Sequence, residues 1–179
     1  MFKKILLIIG IALGATGEIE AAHAQELGLT PSHVYGLWTN INNALVAVAD
    51  ASSGGGQVLA ESLNAATPNN FENKKPSHVL ERAIEFRAKL DRMLAAENLK
   101  PTKRYENIGG SVTPSVVFLN SGHLLDSVVL WIVANSSREQ MINPFYTLHA
   151  FSGKTPSDVF SLVDLANRRI DKILTAAKS

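Results

Sequence analysis

Four times along this chain a proline is followed by serine, a variable residue and valine: Pro31-Ser32-His33-Val34, Pro76-Ser77-His78-Val79, Pro114-Ser115-Val116-Val117 and Pro156-Ser157-Asp158-Val159. Thr30, Thr113 and Thr155 precede three of these prolines, and Lys75 precedes the second. Threonine before proline marks a helix start: the hydroxyl can accept from a first-turn N–H that has no partner, and proline takes the one position where its missing N–H costs nothing. Thr155 and Asp158 also have the spacing of a capping box, and Lys75 leaves the second start without a side-chain acceptor at its cap. The pattern predicts four helices.

The spacing of the starts says more. Successive prolines lie 45, 38 and 42 residues apart, but the first-to-third and second-to-fourth distances are 83 and 80. Two pairs at nearly one offset suggest an internal duplication, with repeat A at 30–96 and repeat B at 113–177. An offset of 80 also matches Phe71 with Phe151, Lys74 with Lys154, and Leu90-Asp91-Arg92-Met93-Leu94 with Ile170-Asp171-Lys172-Ile173-Leu174.

The second and fourth segments are amphipathic, with Val79, Ala83, Phe86, Leu90 and Met93 in one and Val159, Val163, Ala166, Ile170, Ile173 and Ala177 in the other recurring at steps of three and four. Arg168, Arg169 and Lys172 are expected to face solvent near a helix end, where positive charge suits the dipole. The 44–49 and 128–134 stretches are almost wholly apolar, which predicts central burial. The β-branched residues of 128–133 would also suit a strand, but the alanine-rich first copy and the shared cap favour helix. Connections of about 25, 16 and 18 residues exceed the 2–8 usual in simple bundles; Gln57 to Ala66 fits a short extra helix, and Phe145, Tyr146, Leu148 and Phe151 are expected to pin a loop onto the body. The expected fold is all-α: a four-helix bundle with pseudo-twofold internal duplication of two α-α units, and short accessory helices in long connections. Connection length alone leaves the helix directions open.

Lys3-Lys4, an apolar run at 5–13 and Ala22-His23-Ala24 have the three-part layout of a secretory signal peptide at 1–24, cleaved before Gln25. The apolar run is too short to span a bilayer, so no stable membrane anchor is expected after cleavage. The remaining 25–179 make one helical domain, large enough to bury a core without staples, in the periplasm or outside the cell. Seventeen basic against sixteen acidic side chains argue against a nucleic-acid partner, and the absence of cysteine excludes disulfides, thiolate metal sites and covalent haem.

Searches for phosphate loops, zinc-protease helices, hydrolase elbows and di-iron motifs find nothing. His33 and His78 fall at equivalent places and suit local capping better than a metal. Ser121 or Ser127 with His123 and Asp126 would crowd a nucleophile, base and acid on one helix, where residues two apart diverge. The preferred candidate site pairs Asn40 and Asn43 with His123 and Asp126, two three-residue steps at an offset of 83, flanked by Trp38 and Trp131. If the duplicated helices face each other, these side chains converge on an apolar interior as in a small-ligand pocket. The expected function is an exported, non-enzymatic helical-bundle protein that needs no cofactor and binds a small ligand or an envelope protein. The alternative is an envelope metal- or haem-binding protein or enzyme using His123 and Asp126, with His149, Met93 or Met141 as further ligands.

Overall fold

A computed structural model describes residues 27–51, 56–105, 110–135 and 142–177; the leader expected at 1–24 and Met141 lie outside them. The described residues are all-helical: α1 (Pro31–Ala51), α2 (Gly56–Asn64), α3 (Pro76–Ala96), α4 (Pro114–Asn135) and α5 (Pro156–Ala176), with a 3-10 turn at Asn143–Tyr146 and no strand. Each proline of the repeated motif opens a long helix, and the stretch at 128–133 is helical. The extra helix expected at 57–66 is α2.

In three of the four motifs the third residue closes the helix start, and in the other Val116 N–H reaches Thr113 Oγ1 at 3.5 Å. Thr155 N–H and its hydroxyl both donate to Asp158 Oδ2, at 2.7 and 2.8 Å, while Asp158 N–H returns a 3.3 Å bond to Thr155 Oγ1. His33 and His78 do the same work with imidazole, their Nδ1 atoms accepting from Thr30 N–H at 3.0 Å and Lys75 N–H at 3.1 Å. Both histidines are therefore engaged in capping. Gly28, Asn73 and Gly153, each three residues before a helix proline, all have positive φ, the left-handed turn that swings the chain into the helix. At its far end α3 closes with Asn98, also at positive φ, as Leu99 N–H bonds Leu94 O at 2.9 Å and Asn98 N–H bonds Ala95 O at 3.1 Å.

The bonds from Thr155 hold the Asp158 carboxyl below its ordinary value of 3.8. A depressed carboxyl stabilises the fold fully above its unfolded pKa and loses that contribution as pH falls through the folded one. Asp158→Ala should cost about 1 kcal/mol at pH 7, and the gap to the parent chain should close as acidity passes below 3.8. Urea melts at several pH values measure this.

Pro31, Val34, Pro76, Val79, Pro114, Val117, Pro156 and Val159 together line one very small apolar cavity. All four long helices therefore start at one end and run the same way. Around the ring α1 packs against α4 and α5, and α3 packs against the same two. Inside lie Trp38, Ile41, Leu45, Phe86, Leu90, Leu124, Ile132, Val163 and Ile170. The central burial expected of the apolar helices holds for α1; α4 keeps Leu130 and Val133 half out of the core, at 46% and 55% exposure. By length and composition α4 could also cross a membrane.

Parallel neighbours cannot be joined by tight turns, because each connection must return the length of a 21-residue helix, about 30 Å. The return from α2 to α3 can be followed along α5: Lys172 holds Ser62, Arg169 reaches Ala66 O, Arg168 donates to Thr67 O at 2.8 Å, Asn69 meets Asp164, Phe71 packs edge-on against Phe160, and Lys74 N–H donates to Ser157 Oγ. The last connection runs similarly down α1, with His149 beside Gly36, Phe151 edge-on to Tyr35 and Lys154 N–H on Ser32 Oγ. In both, a lysine sits 4.5 Å above the aromatic ring it meets, Lys74 over Phe160 and Lys154 over Tyr35. Two expectations are corrected here. Arg169 is buried, at 6% exposure, and Arg168 is half-buried and donates to the connection, because the returning segment covers that part of the face; Lys172 stays exposed as expected while bonding Ser62. Leu148, expected to pin its loop, is 97% exposed; Phe145 and Phe151 make that contact instead.

Candidate functional site

One hydrogen-bond stitch recurs between neighbouring helices. Asn42, eleven residues into α1 from its proline, donates to Leu162 O of α5 at 3.0 Å and receives Arg169 Nη1 on its carbonyl oxygen at 2.9 Å. Asn167, eleven residues into α5, donates to Arg82 O of α3 at 3.1 Å, and Lys89 approaches its carbonyl. Such a stitch satisfies polar groups that would be costly to bury alone.

On the α3/α4 seam the same position holds arginine. Arg87 is 6% exposed, and its Nη2 donates to Asn120 Oδ1 at 3.1 Å and Asn120 O at 3.4 Å. Its Nε has no hydrogen-bond partner, and no ion pair joins Arg87 to a carboxylate among the described residues. Burial first and the neighbouring Arg104 charge second push its pKa down, against a smaller opposing pull from the Asp91 carboxylate. The fourth seam has leucine at the matching places, Leu125 and Leu37.

Arginine is longer than asparagine, and beside it the seam opens into a groove of about 420 Å³ lined by Leu80, Ile84, Arg87, Ala88, Asp91, Arg104, Tyr105 and Asn120. That volume lies within the range of small-molecule sites. Asp91 is already committed to Thr102 N–H at 2.8 Å, a bond that holds the 100–105 segment against α3. The groove thus combines an apolar wall, a phenol ring and two guanidinium groups.

The residues singled out from the sequence are placed differently. Asn40 is buried but turned to the last connection, donating to Thr147 O at 2.9 Å and bonding His149 Nε2 at 2.8 Å, while Asn43 is exposed. Asp126 is exposed and accepts from Tyr146 O–H at 3.0 Å; partial burial and that carboxylate push the phenol up to about 12. One member of each pair, Asn40 and Asp126, therefore contacts the last connection, and the structure does not gather the four side chains in a shared dry interior. The reason is geometric: α1 and α4 are side-by-side parallel neighbours, so their polar faces turn outward together to seat the returning chain. Trp38 is fully buried and edge-on to Phe86 at 5.5 Å; Trp131 is 7% exposed, and neither indole N–H has a partner.

His123, with Asp126 and Ser127, lines a second groove against Lys100, Pro101 and Lys103. Ser121 and Ser127 donate to Val117 O and His123 O of their own helix. Among the described residues no three histidine or carboxylate side chains are grouped to hold a metal.

Sequence reading passed over Arg87, Arg104, Tyr105 and Asn120. A signal existed, because the offset of 80 aligns Arg87 with Asn167 and thereby sets a charge where its counterpart is a neutral amide. No family model, curated protein or solved structure matches this chain.

Proposed function

We propose that this chain is an exported, non-enzymatic helical-bundle protein that binds a small ligand in the groove between α3 and α4. The observation that carries the reading is Arg87, a buried guanidinium with no carboxylate partner at the edge of a ligand-sized cleft. Buried charges are ordinarily paired, and one without a direct ion-pair partner in a cleft marks a functional place better than a structural one. The leader-like segment at 1–24 supports export to the periplasm or beyond.

The finer architecture in this reading is a four-helix bundle made by internal duplication. The halves would be related by a quarter turn and not by the pseudo-twofold expected from the sequence, because the ring order α1, α5, α3, α4 sends α4 to α1 and α5 to α3 in one step. The recurring Asn42 and Asn167 stitches support that relation, as do the serine contacts of Ser32, Ser157 and Ser115, each receiving an N–H from the segment before the next helix of that ring. Duplication gives the seams equal starts, and divergence at one of them, from asparagine to Arg87, gives a site.

Nuclear magnetic resonance of the mature chain against a library of small metabolites tests the function. Hits should shift the Ile84 methyl and Tyr105 ring signals, and Ile84→Glu should abolish them without unfolding the chain, since Ile84 is 51% exposed. Hits that instead perturb only His123 and Asp126, or a partner protein that binds with the groove unperturbed, would overturn it.

A further inference from the structure

Resting on the groove reading above, the geometry points to the class of ligand: we infer that the α3/α4 groove takes a small organic anion, with a carboxylate or similar planar oxyanion at Arg87 and Arg104 and an apolar body along Leu80, Ile84 and Tyr105.

Three observations lead there. Arg87 spends its Nη2 hydrogen bonds on the neutral carbonyls of Asn120, and the nearby Asp91 charge favours the guanidinium without forming an ion pair with it. A guanidinium nine-tenths buried without an anion bears a desolvation cost that a bound anion would offset, and its planar fork matches carboxylate geometry. Arg104, exposed in the same lining, adds a second positive charge, so two guanidinium groups face the single acid of the lining, Asp91, whose carboxylate is tied to the Thr102 amide. The rest of the wall is aliphatic and aromatic, which selects against fully hydrated inorganic ions.

Arg169 provides an internal comparison. It is equally buried and also lacks a carboxylate partner, but it is capped by carbonyl oxygens on two sides, Asn42 O at 2.9 Å and Ala66 O at 3.4 Å from the covering connection. Arg169 therefore acts as a strut between α1, α5 and the returning chain. Arg87 has its carbonyl partner on one side only, with the groove on the other.

Calorimetry and amide-shift titration of the mature chain with benzoate and isobutyrate, against benzamide and isobutyramide as neutral isosteres, test the assignment. Fragments of this size should bind the parent chain with Kd of about 1 mM, shifting Arg87 Nε–H and Tyr105 signals. The amides should bind at least tenfold more weakly, and Arg104→Gln, an exposed change that leaves the core intact, should weaken the anions several-fold without affecting the amides. Arg87→Gln should lose anion binding; should that variant unfold, Arg104→Gln alone carries the test. Equal binding of amides and anions in the groove overturns the anion assignment and leaves the groove reading standing. No groove shift with any probe at tens of millimolar overturns the anion assignment and counts equally against the groove.

Discussion

Trp38→Ala is expected to destabilise the chain by about 3–5 kcal/mol, the cost of emptying a large aromatic site in a core that cannot collapse to fill it. Trp38 is fully buried, packs edge-on against Phe86 at 5.5 Å, and reaches across the ring from α1 to α3, helices that are not direct neighbours. Its loss removes the contact that ties opposite sides together. A domain of this size is stable by only about 5–15 kcal/mol, so the variant should melt many degrees below the parent. Guanidinium denaturation measures the difference, and Trp38→Phe should recover more than half of it. A loss under about 1 kcal/mol would mean that the Trp38 side chain is not buried as described. The orphan indole N–H predicts part of that recovery, because phenylalanine fills volume without leaving a polar atom unpaired.

The second large effect is expected at Asp164. Its carboxylate is the hub for Arg82 at 2.7 Å on α3, Arg168 at 3.0 Å on α5 and Asn69 at 3.3 Å on the covering connection. Burial would lower the Arg82 pKa, but bonds to Asp164 and Glu85 outweigh it and hold the guanidinium above its usual value. Removing one partner of a well-buried pair costs about 3–5 kcal/mol. Here the two arginines keep partial access to water, so Asp164→Ala should cost about 2–3 kcal/mol, discounted for that screening. Chemical denaturation gives the total, and hydrogen exchange should show faster exchange in the 65–70 segment than in the parent. Asp164→Asn, which keeps a carbonyl for Arg82 or Arg168, should lie between the two. Unchanged exchange in that segment would show that the connection is held by its other contacts alone.

The helix starts were legible because they depend on local chemistry. Thr155, Asp158 and the four prolines state a helix beginning within four residues, and nothing distant overrides them. The buried faces of α3 and α5 were legible from spacing for the same reason. Helix direction was not, because a connection of 16 or more residues can either cross the end of the molecule or return along its side, and length is equal in both cases. That ambiguity propagated. Once the helices run parallel, connections must lie along helix faces, which buries Arg169, turns Asn40 toward His149 and draws Asp126 to Tyr146. Asn40 on α1 and Asp126 on α4 then contact the last connection instead of each other. Arg87 was missed because periodicity treats an arginine as a surface residue, whereas its burial depends on the long-range pairing of α3 with Asn120 of α4.

The parallel ring is the claim on which the groove and its ligand class rest, and distance measurement between spin labels tests it most directly. The chain contains no cysteine, so labels at introduced pairs report single distances. Lys75→Cys with Ser152→Cys, both exposed and both at the starts of neighbouring helices, should lie within about 20 Å, given helix axes 8–10 Å apart. Lys75→Cys with Thr175→Cys should be separated by about 30 Å, the length of α5. The reverse order, with Lys75 nearer Thr175 than Ser152, would make α3 and α5 antiparallel and contradict the account.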